Sequence, residues 1–400
     1  VTIKERIKKL ADADGEFCIS TRRHLHAHPE LSFHEVETSS YIRKMLLSMG
    51  LTDVSVIGDT GVVAAIKGKK EGRTILLRAD TDALPIQENT GLPFQSTTSG
   101  VMHACGHDAH TAMLLSAGKI LMELRAEFEG TVRILFQPAE ETPPGGAVKM
   151  IAAGVLDNPK VDKAIGQHVM PRMPVGKVGI RSGKFMASSD NFRITVRGRG
   201  GHAAMPENLI DPVVITGNII VSLQQLVSRN GNPRIPSVLS IGKVTALGSY
   251  NVIPDEVTLE GTFRTMDQEW RERALAQIKK LVGEIAESMG GECTFELTRG
   301  YPYLHNNELL AADLKKSIVE YVGAENVVDE DAWMAAEDFA YYSHQVPSVF
   351  YLLGIRNESE GITSGLHTPT FKIDEDALPL GAGLMAWLAY QQLVNVSDNL

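Results

Sequence analysis

The chain has 400 residues, 43% hydrophobic and 22% charged, with a formal net charge of −10. That composition is poor for disorder, and the length exceeds what one hydrophobic core usually serves, so two domains are expected. An acidic balance without a Lys/Arg cluster argues against a nucleic-acid partner, and no apolar run approaches the ~20 residues needed to span a bilayer.

The first stretch, "VTIKERIKKLADADGEF", reads as an amphipathic charged helix and not a signal peptide. It runs on into "RRHLHAHPELSFHE", where Pro29 is expected to end it. Three cysteines, Cys18, Cys105 and Cys293, lie far apart. An odd, sparse count speaks for a reducing compartment without a disulfide framework, so a cytoplasmic protein is expected. "ETSSYIRKMLLSMG" has helical periodicity and stops at Gly50, a usual C-cap residue. "GVVAAIKG" and "RTILLRAD" read as buried strands, "HTAMLLSAGKILMELRAE" as a helix, and "GTVRILFQPAEE" and "VDKAIGQHV" as two more strands. This alternation implies an α/β layer with a mostly parallel sheet.

The pattern changes near Ser182. "DNFRITVRG" alternates as a half-exposed strand does. "NLIDPVVITGNIIVSLQQLVSR" follows as a helix, "SVLSIGKVTALG" and "DEVTLEGTFRT" as an antiparallel pair, and "QEWRERALAQIKKLVGEIAESMG" as a second helix. "ECTFELTRG" closes the unit. The order β-α-β-β-α-β is the ferredoxin-like arrangement, which makes 184–297 an inserted α+β domain and leaves 1–183 and 298–400 as one discontinuous domain. Hinges are expected at Ser182–Gly183 and Arg299–Gly300. After Tyr301 the α/β pattern resumes with "ELLAADLKKSIVEYVG", "PSVFYLLG" and a last helix from about Glu375.

Polar residues cluster where three of these strands end: Asp80 and Asp82, Glu140 and Glu141, and His168. In open α/β sheets ligands bind beyond the carboxyl ends of strands. "MHACGHDAHTA" packs His103, Cys105, His107 and His110 ahead of a helix, and "GLHTP" supplies His367. Taken alone, the first of these stretches reads as a metal site, as a thiol nucleophile with its base, or as a polar helix start. Cys105, His107, Glu141, His168 and His367 are five groups of ligand type whose mixture suits zinc or manganese and not calcium. Hydrolysis at a metal needs one carboxylate as ligand and a free one as general base, and adjacent Glu140 and Glu141 could supply both. "RGRGG" (197–201) lacks the Lys-Ser/Thr of a phosphate loop and is rejected as a nucleotide site. Packing roles are expected for Cys18 and Cys293.

"LLRADTDALPI", "MHACGHDAHTA", "FQPAEE", "GQHV", "GGHAAMP", "NVIPDEV" and "SGLHTP" occur in one order over nearly the whole chain. Together they resemble the aminoacylase, hippurate hydrolase and auxin-amino-acid hydrolase branch of the dinuclear metal peptidase and amidohydrolase superfamily. The resemblance implies an aminopeptidase-like catalytic domain, with a mixed sheet flanked by helices, and an inserted lid and dimerisation domain. It implies two divalent metals per subunit, manganese or zinc with cobalt or nickel as alternatives. Cys105 would bridge them, His107 and His168 would hold one, and Glu141 and His367 the other. Glu140 would be the general base toward a water shared by the metals.

Many superfamily members carry a ligand His where this chain has Asp80, so His107 is expected to replace it, with Asp80 and Asp82 orienting ligands. His202 would reach across a dimer interface to the oxyanion, and Asn251 and Arg264 would grip the substrate's C-terminal side. The implied reaction is hydrolysis of N-acyl amino acids, N-acetyl, benzoyl or similar. A dipeptidase or carboxypeptidase on the same scaffold is the alternative. A cysteine amidase, with Cys105 as nucleophile and His107 as base, and a binding protein without catalysis are the readings from other classes. His24, His26, His28, His34, His103 and His110 are expected to be structural neighbours and not ligands. Asp108 is expected as a helix N-cap, and "AAEDFAYY" as a helix start with Glu337 and Asp338 at its dipole.

Overall fold

The computed structural model describes residues 1–394. The chain divides into two compact units. One comprises Val1–Gly183, His305–Asp331 and the chain from Asp338 on, and the other Lys184–Leu304 and Ala332–Glu337. The return crossing lies at 304/305 and not at 297/298. Residue 297 falls inside the strand Glu292–Arg299, whose ladder partner belongs to the second unit.

The first unit is built on an eight-stranded mixed sheet. Its spatial order is Val54–Ile57, Gly61–Lys67, Thr131–Gln137, Thr74–Asp80, Lys163–Pro174, Ser348–Arg356, Val178–Ile180, Val327–Asp329. The central four strands run parallel. They are short apolar runs buried on both faces, as parallel strands under helices must be. Every residue of Thr74–Asp80 is buried. Antiparallel pairs flank the centre on both sides, so "mostly parallel" holds for the middle of the sheet only.

Two helices pack nearly without a wet face, His107–Glu123 and Ala377–Val394. Apolar residues all round these helices, rather than in one stripe, are the sequence counterpart of that burial. The N-terminal region is two helices, Ile3–Ala13 and Gly15–Ala27, not one. The break falls at Asp14, whose carboxylate is drawn to Lys119 on the buried helix, and Gly15 sits against Pro379. The first of these helices opens with a reciprocal cap, in which Thr2 Oγ1 accepts from the Glu5 amide and Glu5 from the Thr2 amide. The helix Val36–Ser48 ends before Gly50, which adopts φ +85°.

The second unit carries an antiparallel sheet ordered Ser237–Ala246, Glu256–Thr265, Asp190–Arg197, Glu292–Arg299, with helices Pro212–Gln225 and Gln268–Ser288. This is the ferredoxin-like arrangement read from the pattern, with its own core around Ile194, Leu223, Phe263 and Trp270. Among the described residues no helix is long and apolar enough to cross a membrane.

Candidate metal centre

The parallel strands Thr74–Asp80 and Thr131–Gln137 end in register, Asp80 opposite Gln137. The segments that leave these ends carry the acids. Lys163–Pro174 pairs with Thr74–Asp80 only as far as Gly166, so His168 stands two residues beyond its neighbour's ladder while still inside its own strand. His168 is therefore strand-borne, and His107 is the first residue of its helix. Neither is a loop group. Gly106 makes the turn into that helix at φ +90°, and a Cβ there would meet Val169 Cγ2 at 2.4 Å.

The five expected ligands come together within the first unit. Ligand atoms of Cys105, His107 and His168 lie within 4.8 Å of one another, as do those of Cys105, Glu141 and His367. Cys105 belongs to both sets, its Sγ 3.5 Å from His168 Nε2 and 3.3 Å from His367 Nε2. Glu140 joins a third set with His107 and Glu141. His367 takes a left-handed backbone at φ +57°, held by its amide on the Ala104 carbonyl at 2.8 Å.

The far sides of the rings are fixed by hydrogen bonds. His107 Nδ1 lies 2.9 Å from the Asp82 carbonyl and 3.1 Å from Asp82 Oδ1, and His168 Nδ1 lies 2.6 Å from the Val169 carbonyl. A carbonyl only accepts, so each Nδ1 carries a proton, and in the neutral ring that a metal would bind Nε2 keeps its lone pair. His107 Nε2 and Glu141 Oε1 are buried without a hydrogen-bond partner. Glu141 Oε1 stands 3.1 Å from His367 Nε2, but the geometry is not that of a hydrogen bond. Buried donors and acceptors are almost always satisfied, so these orphaned acceptor atoms fit a cation between them.

The local charge agrees. Burial alone would push His107 down, but Asp80, Asp82 and Glu141 outweigh it and lift the ring to about 10. Burial, then Glu141, Glu140 and Asp80, push the Cys105 thiol well above its usual range. Both shifts mark a pocket with an excess of negative charge, which divalent cations offset. The cysteine-amidase reading fares poorly, because a raised thiol is a weak nucleophile. Its proposed base, His107, has Nδ1 tied to Asp82, and the imidazole nitrogens nearest Sγ are those of His168 and His367.

Behind the ligands lies a buried support. Asp82 accepts from His107, from the Glu141 amide at 2.9 Å and from Ser32 Oγ at 2.7 Å, and these contacts overcome burial to hold its carboxyl below the usual range. Asp80 accepts from His110 Nδ1 and from Arg78, both at 2.6 Å. His110 Nε2 accepts the Val169 amide at 2.9 Å, so both of its nitrogens are used and it is no ligand. Arg78, fully buried, donates also to Asp338 at 2.6 Å and to Gln137 at 3.0 Å.

Asp338 is thus a partner of Arg78, Gln137 and the Ala147 amide, and not a dipole charge at the start of Ala340–Ser343 as expected. Asp108 is likewise no N-cap. Gly106 holds that position, and Asp108 accepts from Arg22 and meets His26 Nδ1, each at 2.8 Å. His24 stacks on Tyr41 at 4.2 Å, and His28 Nδ1 donates to the His24 carbonyl. His103 is buried with neither nitrogen bonded, and burial pushes its ring down to about 4. Arg78, Gln137, Ser32 and Glu35 escaped the sequence reading. For Arg78 the signal was a cation inside an otherwise apolar strand.

In the second unit, His202 lies on a small ribbon, Gly201–His202 paired with Val252–Ile253, and Asn251 immediately precedes its second strand, its carbonyl accepting the Ala203 amide at 3.1 Å. His202 Nδ1 accepts the Ala204 amide at 3.1 Å, which leaves Nε2 outward on an exposed side chain. Arg264, half-buried on Glu256–Thr265, donates to the Met334 carbonyl at 3.1 Å and forms no salt bridge among the described residues.

A mixed sheet bearing a thiol, imidazole and carboxylate cluster beyond the ends of its central parallel strands defines a metal-dependent hydrolase. The chain belongs to peptidase family M20/M25/M40, whose model matches residues 76–391. It is 42% identical to an N-acetylcysteine deacetylase of Bacillus subtilis, over 93% of this chain and 95% of that one. It is 39% identical to an IAA-amino acid hydrolase of Arabidopsis thaliana, over 96% and 88%. Among solved structures it resembles the Bacillus subtilis YXEP protein, a dinuclear metal binding peptidase. The TM-score is 0.82 at 38% identity, covering 96% of this chain and all of that one.

Proposed function

We propose that this chain is an amidohydrolase that cleaves N-acyl amino acids, N-acetyl, benzoyl or similar, to a free amino acid and a carboxylic acid. The observation that carries the reading is Cys105 shared between two ligand sets, with Glu140 beside them. Cys105, His107 and His168 would hold one divalent cation, and Cys105, Glu141 and His367 a second. The mixed donors suit manganese or zinc, with cobalt and nickel as alternatives. When bound, the cations supply Lewis acidity toward water and the amide carbonyl.

The side chains do the rest. Glu140 takes a proton on its carboxylate from the attacking water and passes it to the leaving amine nitrogen. Arg264, without a carboxylate partner among the described residues, takes the substrate's α-carboxylate through its planar fork. Asn251 adds a polar contact on the same side. His202 donates from Nε2 to the acyl oxygen as negative charge develops there. That histidine comes from the partner copy of a homodimer, whose interface is the second unit. Asp82 keeps the His107 ring and the Glu141 backbone in place, and Asp80 anchors His110, which accepts the Val169 amide next to His168. We assign the protein to the cytoplasm, where free thiols such as buried Cys18 and Cys105 persist.

A dipeptidase or carboxypeptidase on the same scaffold is the second reading, favoured by the peptidase description of the YXEP protein. Metal analysis and product identification on a panel of N-acetyl-, benzoyl- and indoleacetyl-amino acids against dipeptides separates the two. Cleavage of acyl-amino acids, lost in Glu140→Ala with metal content unchanged, is expected. Turnover of dipeptides alone would overturn the acyl-amino-acid reading.

A further inference from the structure

Glu35 is 0% exposed and forms no ion pair among the described residues. A buried carboxylate without a counter-charge is costly to keep, so its hydrogen bonds matter. Oε1 accepts the Ala139 amide at 2.7 Å, and Oε2 accepts from Thr60 Oγ1 at 3.0 Å. Ala139 precedes Glu140 and adopts a left-handed backbone at φ +54°, which L-residues avoid. Its carbonyl is gripped as well, accepting the Gly146 amide at 2.9 Å. Gly146 is needed there, since a Cβ would lie 1.8 Å from the Pro138 carbonyl oxygen.

The left-handed residue has a consequence for the acids. In a continuing strand, neighbours 140 and 141 would point to opposite faces. The kink breaks that alternation, and both carboxylates reach one cluster with His107. The turn that supplies Glu35 holds the other half of the centre too. Ser32 Oγ donates to Asp82 and accepts from Thr142 Oγ1 at 3.0 Å. The useful residues of "HPELSFHE" are thus Ser32 and Glu35, and not its histidines.

We propose that Glu35 is a positioning residue for the Glu140–Glu141 pair, its carboxylate clamping Ala139 in the turn that aims both acids into the centre. The kinetic part rests on Glu140 acting as the base. The test uses the metal-loaded enzyme, an N-acetyl amino acid, and amide hydrogen exchange of the segment 138–145.

Glu35→Ala is expected to lower kcat by roughly 10²-fold, as small misplacements of reacting groups do, with KM and bound metal little changed. Exchange in 138–145 rises with it. Glu35→Gln, which still accepts the Ala139 amide, stays close to wild type in both readouts. Ala139→Gly added to Glu35→Ala regains about tenfold in kcat, because glycine adopts the turn without help. Should Glu35→Ala not fold, Ala139→Val is the second variant. A β-branched residue resists the left-handed turn, so kcat falls with Glu35 intact. Unchanged exchange in Glu35→Ala, loss in Glu35→Gln equal to that in Glu35→Ala, or full activity in Ala139→Val would overturn the proposal. If the wild type cleaves no acyl-amino acid, the functional reading fails, while the exchange measurement still decides the role of Glu35.

Discussion

Gly106→Ala probes the turn that sets Cys105 and His107 side by side. Two costs can be worked from the structure. The residue sits at φ +90°, and a left-handed backbone costs an L-residue about 1–2 kcal/mol. The new Cβ would also stand 2.4 Å from Val169 Cγ2, an overlap of the kind that costs about 1–3 kcal/mol in a packed core. Together they predict a loss of about 2–5 kcal/mol from the metal-free protein, large against a typical stability of about 5–15 kcal/mol. The sulfur and the imidazole sit on the two neighbouring residues, so metal affinity falls as well, by roughly tenfold or more.

Calorimetric unfolding of the metal-free protein and metal titration by chelator competition measure the two effects. Val169→Ala removes the clashing methyl but not the backbone strain. The double variant should therefore be less destabilised than the sum of the singles, by roughly 1 kcal/mol. A Gly106→Ala protein within about 0.5 kcal/mol of the parent, with unchanged metal affinity, would refute the reasoning.

Arg78→Met leaves Asp80 and Asp338 as buried carboxylates without their cation, and a loss of about 3–5 kcal/mol is expected by calorimetry. Loss below 1 kcal/mol would mean the pair is compensated elsewhere. If His202 acts in the partner's site, inactive His202→Ala and Glu140→Ala proteins mixed by co-expression should recover activity. Random pairing in a symmetric dimer restores roughly a quarter of wild-type sites. No recovery in a mixture that light scattering shows to be dimeric would place His202 in its own subunit's site.

Much of the catalytic unit was legible before any coordinates. Apolar runs marked the parallel strands, and the period change after Ser182 marked the second unit, because burial writes itself locally at each residue. The five ligand candidates were legible for a related reason, since polar groups concentrated at strand ends have few structural uses. What stayed hidden depends on partners remote along the chain. Arg78 is a cation in an apolar strand yet escaped the reading, because its acid, Asp338, is 260 residues away. Asp108 looked like an N-cap because the residues before the helix match that pattern, and only packing against Arg22 and His26, 86 and 82 residues upstream, shows otherwise. Spacing alone does not separate His107 from His110; the resemblance favoured His107, and the hydrogen bonds show why. The Val169 amide occupies one and leaves the other's Nε2 free.

By itself, then, the sequence determined most of the elements and the chemical types at the centre, since periodicity and composition are local records of which faces are buried. The tertiary structure alone decided which nitrogen and oxygen lone pairs are left over. That is a matter of hydrogen bonds between segments far apart in the chain, and of left-handed turns at Ala139 and His367 that no local propensity favours.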